Sequence, residues 1–110
     1  MSNKPQPKVL ARDNLLVGII FQHKGKQNTI SAKEIATILA ENGYQTRSGF
    51  VHQIVRKVML ERHLPICSIN CKGYFWGVTK EELQTAIDDF QGRIEEMQSR
   101  IEILKSFVIN

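Results

Sequence analysis

The chain has few cysteines and few prolines, and no apolar run reaches the length of a bilayer. Cys67 and Cys71 are the only thiols in 110 residues, which excludes the multi-disulfide framework that staples small secreted domains. The longest apolar stretch, LLVGIIF over Leu15–Phe21, is the size of a core segment and too short to span a membrane. MSNKPQPK at the N-terminus has no apolar centre of the kind a secretory leader needs, so a reducing cytoplasm is the expected compartment. A phosphate-cradling glycine loop is missing too. HKGKQ (His23–Gln27) lacks the spaced first glycine and the hydroxyl after lysine. His23, His52 and His63 stand in no nucleophile–base or metal-binding arrangement. The expectation is therefore a non-enzymatic protein without a cofactor.

What is present is an ordinary globular composition, 42% apolar and 24% charged, in one domain's worth of chain. The net charge of +4 hides a division. Residues 1–78 carry 11 Lys/Arg against 4 Asp/Glu, a balance of +7, and residues 79–110 carry 4 against 7, a balance of −3. A basic body with an acidic tail suits a body that meets a polyanion.

Residues 1–8 hold two prolines without periodicity and read as a flexible arm. From Ala11 to Lys24 the stripe Leu15, Leu16, Ile19, Ile20 predicts a helix, with Asp13 as a possible N-cap and Gly25 as the stop. QNTI then offers one stub of strand. Ser31-Ala32-Lys33-Glu34 is a capping box that starts a second helix, bearing Ile35, Ile38 and Leu39 on one face and ending at Gly43. Thr46 or Ser48 is positioned to cap a third helix reaching about His63, with the stripe Val51, Ile54, Val55, Val58, Met59. Pro65 ends it. ICSI and YFWGV are β-rich runs joined by Asn70-Cys71-Lys72-Gly73, a hairpin signature. In that setting His63, Cys67 and Cys71 lack the paired short spacings and fourth ligand of a zinc site. Cys67 reads as a small core residue and Cys71 as a loop thiol, with no metal expected.

Helix, strand stub, helix, short turn, helix and hairpin resemble, over roughly Ala11–Val78, the winged-helix form of the helix-turn-helix. The steps Pro65-Ile66 and Gly73-Tyr74 resemble the wing entry and return of small phage- and prophage-borne winged-helix proteins of Gram-positive bacteria. The resemblance implies a winged-helix domain over residues 9–78 and double-stranded DNA as partner. A helix-turn-helix lays its second helix in the major groove. Here that is 48–62, whose polar side offers Ser48, Gly49, His52, Gln53 and Arg56, flanked by Arg47 and Lys57. The wing, 66–78, brings Asn70 and Lys72 to backbone or minor groove, as wings do in the family it resembles.

Thr79-Lys80-Glu81-Glu82 is a second capping box, opening a helix over residues 79–110. Its apolar residues Leu83, Ile87, Phe90, Ile94, Met97, Ile101, Leu104 and Val108 alternate in steps of four and three, an unbroken heptad. About 29 residues make a rod of some 43 Å, longer than so small a body can cover, so this stripe is the expected dimerisation seam. Arg93 and Arg100 each have a carboxylate at i−4, Asp89 and Glu96. The fold expected is mainly α with a small β-hairpin, a winged helix-turn-helix followed by a long coiled-coil helix. The function expected is a dimeric DNA-binding protein, either a phage or plasmid replication factor or a transcriptional regulator. The alternative is a winged-helix protein–protein adaptor that does not bind DNA. No membrane partner is expected.

Overall fold

The computed structural model describes residues 6–109. In chain order its elements are α1 (Pro7–Phe21), α2 (Ala32–Glu41), α3 (Ser48–Arg62), β1 (Ile66–Cys67), β2 (Phe75–Trp76) and α4 (Lys80–Ile109). The protein is thus mainly helical, with one small antiparallel sheet and a long last helix. None of these helices is long and apolar enough to cross a membrane.

Helix α1 starts four residues before the expected Ala11, because Pro7 sits in its first turn, where the ring fixes a helical φ and no amide is missed. Residues 7–8 of the expected arm are therefore helical, and the arm's first five residues lie outside the described ones. Asp13 caps nothing. It sits inside α1, only 2% exposed.

Both predicted capping boxes form. Ser31 Oγ accepts from Glu34 N–H at 3.0 Å, and Glu34 returns the bond to Ser31 N–H at 3.1 Å. Helix α2 ends in a Schellman turn: Tyr44 N–H reaches Leu39 C=O at 2.8 Å and Gly43 N–H reaches Ala40 C=O at 3.0 Å. This turn needs φ +89° at Gly43, a conformation that costs glycine nothing. Helix α3 differs from expectation at its start. Arg47 takes the cap position, and no side chain bonds the first-turn amides; Thr46 Oγ1 instead donates to Tyr44 C=O.

One face of each of the first three helices closes the core. Leu16, Ile19 and Ile20 of α1 meet Ile35 and Leu39 of α2 and Val51, Ile54, Val55 and Val58 of α3, with Ile30 and Ile66 completing the cluster. Each fully buried Leu or Ile contributes about 1.5–3 kcal/mol relative to exposure, so this cluster is what holds the three helices together.

The hairpin pairs Ile66 with Trp76 and Cys67 with Phe75. Its connection, residues 68–74, is longer than the predicted Asn70–Gly73, and Asn70 and Cys71 take left-handed conformations within it. Tyr74 exchanges two hydrogen bonds with Ile30, at 2.7 and 2.8 Å, while Trp76 N–H reaches His23 C=O and Gly25 N–H reaches Trp76 C=O. The return strand therefore lies between β1 on one side and the segment after α1 on the other, which gives the predicted strand stub at Ile30 its partner. Gly73, at φ +115°, allows the approach: a Cβ there would stand 2.9 Å from Ile30 O.

A second cluster of Cys67, Phe75 and Ala86, with Ile69 and Leu83 against it, joins the hairpin to the start of α4. Glu82 clamps the same junction. Its carboxylate accepts from Val78 N–H at 3.0 Å, from Thr79 N–H at 3.3 Å and, across the fold, from Lys26 N–H at 2.9 Å.

Candidate nucleic-acid interface

Subtracting the buried stripe of α3 leaves Gly49, His52, Gln53 and Arg56 exposed along its outer side, as the period of the sequence requires. Arg47 and Ser48 are exposed at its N-terminus. The first turn there is uncapped, whereas α2 and α4 each have their own Ser or Thr and Glu in that role. An uncapped helix start presents free amides to an anion.

Lys57 has another engagement. Its Nζ lies 2.6 Å from Asp13 Oδ2, and Arg12 approaches the other carboxylate oxygen at 3.1 Å. A buried carboxylate needs such partners, so Lys57 is a structural cation first, although its side chain keeps 38% exposure.

The hairpin loop carries the two other expected contacts. Lys72 is exposed on the cleft side. Asn70 is held in a left-handed conformation, φ 56°, and its N–H donates to Asp89 of α4 at 3.4 Å. The loop tip thus rests on α4 instead of standing free.

Between α3 and this loop lies a cleft of about 620 Å³. It brings together three of the expected residues, His52, Arg56 and Lys72. Arg47, Ser48, Gly49, Gln53, Lys57 and Asn70 do not line it. His52 Nδ1 shares a hydrogen bond with the Tyr74 hydroxyl, which fixes the imidazole against the hairpin. Burial pushes the Tyr74 phenol up, partly offset by the nearby Arg56, so the hydroxyl stays protonated at neutral pH.

Three features escaped the sequence reading. Arg93 and Phe90 reach the cleft from α4, although the heptad assigned Phe90 to the dimer seam alone. Arg93 pairs with Asp89, as its spacing predicts. Phe50 and Leu60 are exposed on α3, Leu60 at 73%, outside the apolar stripe that the period identifies. Arg12 covers the Phe50 ring at 5.5 Å from its centroid.

The cysteines have different settings. Cys67 is buried in the hairpin–α4 cluster, and burial pushes its thiol up, away from reactivity. Cys71 is exposed in the loop. Among the described residues no group of three His, Cys, Asp or Glu side chains is placed to hold a metal ion.

The expected seam divides in two. Leu83 packs into the hairpin–α4 cluster of its own chain. Ile87, Phe90, Ile94, Met97, Ile101, Leu104 and Val108 are all exposed, Val108 at 83%. Beyond Arg93 every described residue of α4 is exposed, so this half of the stripe is not covered by any of the described residues. No protein-family model matches the chain, and comparison with curated proteins and with solved structures returns no match.

Proposed function

We propose that this chain is a dimeric winged-helix protein that binds double-stranded DNA, serving a phage or plasmid as a replication factor or a transcriptional regulator. In this reading α3 enters the major groove. Arg56 and Gln53 meet base edges, Arg47, Ser48 and Gly49 meet phosphate at the uncapped helix start, and Lys72 meets backbone or minor groove. The observation that carries the reading is the convergence of Arg56 and Lys72 from α3 and the hairpin on one cleft that no carboxylate lines among the described residues. The +7 balance of residues 1–78 supports it, since counterion release drives binding to a polyanion. Dimerisation through α4 supplies a two-fold axis and a second half-site. The part of α4 beyond Arg93, which does not line the cleft, then projects away from the duplex.

Fluorescence anisotropy with a pool of duplexes at several salt concentrations tests the reading, comparing wild type with Arg56→Ala/Lys72→Ala. The expected result is micromolar or tighter binding that falls steeply with salt and falls further in the variant. Absence of binding at low salt sinks it. The exposed Phe50 and Leu60 on α3 then favour the adaptor reading, in which this helix docks on a protein.

A further inference from the structure

The cleft beside α3 is built from four parts of the chain: the start of α2, one edge of α3, the hairpin loop and the third and fourth turns of α4. At about 620 Å³ it falls within the size range of small-molecule sites. Its lining is lopsided. Arg56, Lys72 and Arg93 supply cations, and among the described residues no Asp or Glu lines it. Asp89 answers Arg93, but Arg56 and Lys72 enter no ion pair among the described residues. The rest of the wall is mixed: Ser31, His52, Ser68 and Tyr74 are polar, and Val55, Met59, Ile66 and Phe90 supply an apolar side. A phosphate backbone would use the cations and leave that apolar side idle. A neutral apolar compound would do the reverse.

We propose that the cleft binds a small amphipathic anion, with a carboxylate, sulfonate or phosphate head against Arg56 and Lys72 and a flat apolar body against Met59 and Phe90. Volume limits the body to roughly drug size, and the missing carboxylates select the sign of the head. The site stands on the cleft alone. A second consequence rests on the DNA reading: head and duplex use the same two cations, so ligand and DNA exclude one another.

Methyl-resolved NMR on the full chain tests the site with three probes: 2-naphthoate, its neutral analogue 2-naphthalenemethanol, and acetate. The expected result is saturable shifts at Val55, Met59 and Ile66 with 2-naphthoate, and at least tenfold weaker binding of each other probe. Arg56→Gln/Lys72→Gln weakens 2-naphthoate at least tenfold while the Leu16 and Ile20 methyls keep their positions, which reports an intact core. Equal binding of the neutral analogue overturns the proposal, as do shifts confined to Ile94–Val108. Anisotropy separates the second consequence. Displacement of duplex by 2-naphthoate supports it, and undisturbed duplex binding at saturating 2-naphthoate overturns it without touching the DNA reading. Absence of duplex binding in the probe-free control sinks the DNA reading and this second consequence with it, while the methyl shifts still decide the site.

Discussion

Asp13 illustrates how a single residue changes meaning between sequence and fold. In the sequence it precedes an apolar stripe, where a helix cap belongs. In the fold Pro7 has already started the helix, so Asp13 faces inward and collects Lys57 and Arg12. Lys57 comes from 44 residues away, a pairing that no local pattern carries. Replacing it as Lys57→Met leaves a buried carboxylate with Arg12 alone. The expected cost is about 1–3 kcal/mol, read from the urea unfolding midpoint. If Lys57 is a structural cation, duplex affinity of the folded variant stays within a few-fold of wild type. A loss as large as that of Arg56→Ala, with unchanged stability, reverses the assignment.

At the scale of elements the sequence was most legible where chemistry is local. Both capping boxes, the Gly43 turn, the α3 stripe and the i−4 pairing of Arg93 follow from spacing alone. The hairpin was legible in kind, but its second neighbour was not, since Tyr74 bonds to Ile30, which lies 44 positions earlier. The cleft was half legible. Its α3 and loop residues follow from the pattern, while Arg93 and Phe90 enter only because α4 docks beside the hairpin.

The α4 capping box also makes a pH prediction. Amide donation by Val78, then by Lys26 and Thr79, holds the Glu82 carboxyl below its ordinary value, and burial opposes this only in part. Glu34 is lowered in the same way by the Ser31 amide and hydroxyl. A carboxyl whose pKa is lower folded than unfolded adds stability above the unfolded value. That stability is lost as pH falls through the folded one. Between pH 7 and about pH 3, wild type is therefore expected to lose more of its urea midpoint than Glu82→Gln does. Parallel losses in the two proteins refute the assignment of this clamp to Glu82.

For the molecule as a whole, the exposed distal half of α4 is the dominant feature. Thirty residues of helix run about 45 Å, close to the longest dimension of the molecule, 52 Å. Its heptad positions are exposed from Ile87 onward, while Leu83 serves the chain's own core, so a coiled coil formed through α4 would begin later than the heptad does. The replacement Ile94→Glu/Ile101→Glu puts like charges across that seam. Sedimentation equilibrium is expected to show a dimer for wild type and a monomer for the variant, with the helical body still cooperatively folded. A wild-type monomer at high micromolar concentration removes the seam.

The bond from Lys26 N–H to Glu82 has a consequence for the time course of opening. Lys26 belongs to an exposed turn whose amide, left to water, exchanges its hydrogen rapidly. While the base of α4 is seated, that amide is covered by a carboxylate 56 residues away. Its exchange is therefore gated by lifting of the helix base, an event far smaller than global unfolding. Protection at Lys26 well below that of the Ile54 and Val55 amides, and its loss in Glu82→Gln with the core amides unchanged, are the expected pattern. One exposed amide then reports, in real time, how often the long helix lets go of the body that carries it.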